Sequence, residues 1–209
     1  MMNSTPRERV YSHVTSKVLT FTTTQDTAAT RAMLARLRAN VGKEPGSDPA
    51  IWAATIENVS PNATNDTPTW EENAVHTALT LYAAHQQSRP QPVHTQKIGF
   101  GQAVKQLDHH VGRGDGDGPS PVRRRFNAAV SSATFTELAY HLRGLIRQMR
   151  GESIAFDYGR FAVDLWDFQV PGKADAVRRR WAREYYRINT GDADNTRLQE
   201  ETTTEEETS

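Results

Sequence analysis

The chain has 209 residues, 36% of them hydrophobic, and its 25 basic and 25 acidic side chains cancel to a formal charge of zero. This length buries the core of one or two compact domains, and the absence of cysteine excludes disulfides and thiolate metal sites. No apolar run approaches the roughly 20 residues that span a membrane and the N-terminus lacks a signal-peptide core, so a cytoplasmic protein is expected.

Ser4-Thr5-Pro6 marks a helix start, and Val10, Val14, Val18 and Phe21 follow at helical spacing until a Thr-rich stretch ends the pattern. Asp26-Thr27 opens a stronger helix, with Met33, Leu34, Leu37 and Val41 as its apolar stripe and Gly42 as its C-cap. Arg31 and Arg38 share its solvent side. A short helical piece, Ile51 to Val59, follows Pro49, and the polar residues 60–69 read as a loop. Trp70 to Gln87 is helical again, with Val75, Leu79 and Tyr82 on its buried side. The Pro-punctuated residues 88–93 are the candidate domain boundary.

Beyond it, Ile98 to Val111 precedes a Gly/Asp-rich linker, residues 112–120. Ser120-Pro121 caps a helix running to about Ser131, and Thr136 caps the next, Glu137 to Arg150. A shorter amphipathic piece, Phe156 to Phe168, leads through Pro171-Gly172 to a last helix, Ala174 to Ile188. No sustained period-2 alternation occurs, so the expected class is all-α. We expect two small helical-bundle lobes, residues 28–93 and 94–190, after a polar helical extension, residues 1–27. Residues 191–209 carry seven acids, one arginine and no apolar periodicity, which predicts a disordered acidic tail.

The neutral total therefore hides a basic body: outside the tail there are 24 basic and 18 acidic side chains. Six arginines against one acid fall between Pro121 and Arg150. Val122, Phe126 and Val130 face inward on the first helix there, so Arg124 points out with Arg123 and Arg125 flanking it. On the second, Leu138, Leu142, Leu145, Ile146 and Met149 cluster on one side and Arg143, Arg147 and Arg150 on the other. Exposed helix faces are ordinarily charged, but they mix signs to gain i,i+4 pairs, and these do not. Arg also suits phosphate through its planar, always-charged fork, so the sorting points to a polyanion, nucleic acid first. For the last helix, Asp175 and Glu184 within it and Asp164 before it offer the arginines internal partners.

Catalysis needs a constellation, and none emerges. The seven histidines are scattered with no metal spacing, and the loop GRGDGDG lacks the ending of a phosphate loop and the ligand order of a calcium loop. Asp157, Asp164 and Asp167 near Glu152 lack a base or metal partner. No enzyme activity, cofactor or metal is expected.

With the helices placed, residues 28–187 resemble the CasB family, the small subunit of the type I-E CRISPR Cascade complex. The stretches that carry the likeness are RAMLARLRANVG, ALTLYAAHQQ, IGFGQAVKQL, PVRRRFNAAVSSATFTELAYHLRGLIRQMR and VRRRWAREYY, in this order and spacing. The resemblance implies a non-catalytic, two-lobed helical protein, two copies of which line an RNA-guided complex. The implied partners are the backbone and large Cascade subunits, a second copy, CRISPR RNA and target DNA, with target and displaced strands held on basic faces to stabilise the R-loop. It supports Arg123, Arg124, Arg125 and Arg143 as nucleic-acid contacts and includes Arg31, Arg38 and Lys105 in matched segments; Arg147 joins them from its helix face. Related sequences tend to have Gly-Arg where this chain has Gly101-Gln102, with Lys105 one turn on. A helical scaffold whose arginines bind acidic protein surfaces is the alternative from another class, and a metal- or nucleotide-dependent enzyme the third.

Overall fold

The computed structural model describes residues 4–61, 63–64, 66–112 and 118–187. The linker residues 113–117, Ile188 and the acidic tail, for which the sequence predicts burial or disorder, lie outside them. Nine α-helices and one 3-10 turn order the described residues: α1 Pro6–Thr23, α2 Ala28–Ala39, the turn Pro49–Ile51, α3 Trp52–Thr55 and α4 Trp70–Gln86 in the first half. The second half holds α5 Phe100–Val111, α6 Pro121–Val130, α7 Phe135–Glu152, α8 Tyr158–Gln169 and α9 Ala174–Tyr186. The all-α class stands. The one β feature among the described residues is an isolated parallel bridge between His94 and Phe156.

Side-chain oxygens start most of these helices by accepting otherwise orphaned N–H groups, each such cap contributing about 1 kcal/mol. Thr5 and Thr69 form capping boxes with Glu8 and Glu72, while Thr27, Ser120 and Asp157 cap α2, α6 and α8. The cap of α7 is Thr134 rather than the expected Thr136, because only Thr134 stands three residues before Glu137, whose N–H it accepts. Glu137 in turn accepts from the Ala133 N–H at 2.8 Å. α2 likewise ends before Gly42, at Ala39. Asn40 is fully buried there, its amide donating to Arg36 O and Asp48 Oδ2 at 2.9 and 2.7 Å.

The centre of the molecule is α4. It packs on α1, α2, α7 and α8, and buries Ala74, His76, Thr80, Ala83, His85 and Gln86 as well as the expected Val75, Leu79 and Tyr82. Around it stand two groups of helices. In the first, α8 returns from late in the chain to pack on α1 and α4; in the second, α5 and α6 pack with α7 and α9. One continuous apolar cluster runs through both. Its middle is aromatic: Phe156 stacks on Tyr158 with centroids 4.3 Å apart, and Phe100 lies 4.8 Å from Trp181. His85 Nδ1 and the Tyr158 hydroxyl share a 2.9 Å hydrogen bond, and burial pushes the His85 pKa down to about 3, so the ring is neutral.

Polar ties set the outer helices. Trp181 Nε1 and Arg180 donate to buried Asp164 at 2.6 and 2.5 Å, fixing α9 on α8. Arg178 donates to Val130 O and Ser132 O at 2.8 and 2.7 Å and pairs with Asp175. Thus α9 holds the α6–α7 turn in place. The carboxylates grouped in the sequence have separate structural roles: Asp157 is a cap, Asp164 and Asp167 bind Arg7, Lys173 and Arg180, and Glu152 lies 3.7 Å from His110.

Candidate nucleic-acid interface

Burial of Val122, Phe126 and Ala129 turns the three consecutive arginines of α6 outward, and they diverge. Arg123 reaches α9, donating to the Tyr186 hydroxyl at 2.9 Å with its guanidinium 5.4 Å from the ring centre. Arg124 is exposed and donates to Pro119 O at 2.7 Å. Arg125 runs the other way and lies over Gly144 of α7.

On α7 the apolar stripe Leu138, Leu142, Leu145, Ile146 and Met149 is buried as expected. The arginines opposite it separate into two directions. Arg147 is exposed, on the stripe that also carries Gly144 and Tyr140, a ring 69% exposed. Arg143 and Arg150, seven residues apart and so on one side of the helix, turn toward the α2–α4 side and are half-buried. Arg143 packs against Gly42 and lines a cleft of about 390 Å³ with Lys43, Glu44, His76 and Thr77. Arg150 donates to Gln87 Oε1 at 2.9 Å. Its charge acts on Arg38 of α2: burial first, and then Arg150, lower the Arg38 pKa from its ordinary value.

The remaining candidates lie at the two ends. Arg31 is exposed about 10 Å along α2 from Arg38. Lys105 donates from Nζ to Arg187 O at 2.8 Å, on the α5–α9 side of α6. Gln102 is half-buried beside Gly101, whose N–H donates to Glu184 Oε2 at 3.0 Å and whose missing Cβ admits the Trp181 carbonyl. The structure thus sets Arg125 over α7, which holds Arg143 and Arg147, with Arg38 in reach of the Arg150 charge, and carries Arg123 and Lys105 to the end of α9, at Tyr186 and Arg187. Arg150, absent from the sequence-based set of contacts, belongs to this surface. Its place in the α7 arginine series was visible; its meeting with Arg38 was not.

Among the described residues, the ion pairs involve Arg7, Arg9, Arg160, Lys173, Arg178, Arg180 and His110. None of the eight candidate residues has a carboxylate partner among them. Also among the described residues, no group of three His, Asp or Glu side chains is placed to hold a metal ion, and no helix is long and apolar enough to cross a membrane.

Fold and site together define an all-α protein carrying an arginine band without internal counter-charge. The chain belongs to the CRISPR-associated protein Cse2 family, whose family model matches residues 33–186, and is thereby a CasB-type subunit of the CRISPR Cascade complex. CasB from Thermobifida fusca is similar over 87% of this chain and 96% of its own, at 30% identity and a TM-score of 0.63. A Cse2-family CRISPR-associated protein from Thermus thermophilus shares the fold at 21% identity, covering 88% of this chain and 99% of its own with a TM-score of 0.62. CasB from M. ruber does so at 16% identity and 0.59, over 96% and 99%. No curated protein is similar to the chain in sequence.

Proposed function

We propose that this chain is the non-catalytic small subunit of a type I-E Cascade complex, and that its arginine band holds the target and displaced DNA strands of the R-loop without reading their sequence. The observation that carries this reading is the missing counter-charge. Arg160, Arg178 and Arg180 of α8 and α9 find carboxylates, whereas Arg38, Arg123, Arg124, Arg125, Arg143 and Arg147 do not. Leaving like charges such as Arg38 and Arg150 to face each other costs stability, and an external polyanion offsets that cost.

The geometry suits a strand backbone. One helical step of four residues rises about 6 Å, close to the phosphate spacing of an extended strand, and a guanidinium fork binds phosphate bidentately. Contacts of this kind position a strand and leave sequence to guide pairing. R-loop formation is a near-balanced exchange of duplexes, so backbone contacts worth a few kcal/mol tip it. The second copy, the CRISPR RNA and the neighbouring backbone and large subunits complete the proposed assembly.

The test is the salt dependence of binding to a labelled single strand. Each neutralised phosphate contributes a slope of about −0.7, so about five contacts predict a loss near two orders of magnitude between roughly 50 and 200 mM salt. Flat affinity over that range sinks the reading.

A further inference from the structure

Two arginines of the proposed interface rest on glycines. A Cβ on Gly42 would overlap the guanidinium of Arg143, and one on Gly144 would stand 2.8 Å from Cδ and 2.9 Å from Nε of Arg125. Gly42 has φ +78°, and that backbone conformation alone favours glycine there. Gly144 has no such reason. It sits inside α7, where glycine is among the least favourable residues, and the nearest atoms around its absent side chain, outside α7 and its chain neighbours, all belong to Arg125.

We infer that Gly144 is a positioning residue: its bare Cα forms a notch that lays Arg125 across α7, in line with Arg147 three residues on, so that both charges meet one strand. This rests on the nucleic-acid reading above. An arginine free to sample its rotamers loses that freedom when it binds; one already seated loses less, and the difference appears as affinity. The atoms that a Cβ would displace belong to the flexible end of an exposed side chain. Alanine at 144 therefore moves Arg125 and spares the fold, and its higher helix propensity favours α7.

The experiment compares G144A, R125A and the double variant of the full chain by thermal melting and by fluorescence anisotropy on a labelled single-stranded oligonucleotide across salt. G144A is expected to melt at or above the parent temperature. It is also expected to bind several-fold more weakly, with a shallower salt slope, because Arg125 no longer neutralises its phosphate. The double variant should bind like R125A alone. Parent-like binding by G144A when R125A is impaired overturns the notch, as does a double variant weaker than R125A. Parent-like binding by R125A itself removes Arg125 from the interface, which overturns the inference from the other side and is told apart by that single variant.

Discussion

Arg38 of α2 and Arg150 of α7 lie within electrostatic reach of each other, and burial together with the Arg150 charge lowers the Arg38 pKa. Such a pair works against folding, by about 0.2–0.5 kcal/mol for like charges at close range on a surface. Arg38→Gln is therefore expected to raise the melting temperature slightly while weakening single-strand binding several-fold. A fall in melting temperature would instead make Arg38 a structural residue.

Arg124 and Arg143 represent the two arms of the band, one on the solvent side of α6 and one over Gly42. Replacing both with alanine should destabilise the R-loop in an assembled complex, by roughly tenfold or more in its lifetime if each contact is worth about 1 kcal/mol. Circular dichroism and melting should stay near those of the parent. An unfolded double variant would reassign both side chains to stability.

His85 gives the fold a pH dependence. Its ring is neutral when folded, with a pKa pushed down to about 3 by burial, against 6.5 when unfolded. As pH falls below about 6.5 the unfolded chain takes up this proton first, so stability present above that value is lost progressively toward pH 3, at up to about 1.4 kcal/mol per unit. Burial lowers His13, His76 and His94 in the same direction. Asp164, raised to about 6 by burial, opposes them between there and its ordinary 3.8. Melting between pH 7.5 and 5 should follow the histidines, and His85→Gln should flatten the curve. An unchanged slope in that variant rules His85 out as the source.

The last described residue, Arg187, accepts from Lys105 of the candidate set, and the sequence beyond it is acidic, with seven acids and one arginine in residues 191–209. Truncation after Gly191 removes a net charge of −6 and is expected to strengthen single-strand binding, most at low salt. Equal affinity with and without the tail would show that it does not compete.

Local signals carried much of this fold. Thr5-Pro6, Thr27 and Ser120-Pro121 announced their helices because capping is decided within four residues. The burial of Val122, Phe126, Leu138, Leu142 and Met149 followed from spacing alone. The burial of most of α4 did not. Only Val75, Leu79 and Tyr82 make an apolar stripe, while His76, Thr80, His85 and Gln86 are polar and buried by helices distant in sequence. The interface divided in the same way. Outward faces on α6 and α7 were legible from period, but the approach of Arg38 and Arg150 and the seat of Arg125 on Gly144 depend on tertiary placement.

The enclosure of α4 also governs how the molecule moves. A helix covered by α1, α2, α7 and α8, and continuous with one apolar cluster, resists separation of the helices around it, since opening would expose its buried residues to water. On the proposed reading the arginine band is accordingly a fixed template, to which a strand adapts rather than the reverse. Amide hydrogens of α4 should exchange only through global unfolding, at rates indifferent to whether DNA is bound locally, apart from the overall stabilisation that any ligand brings.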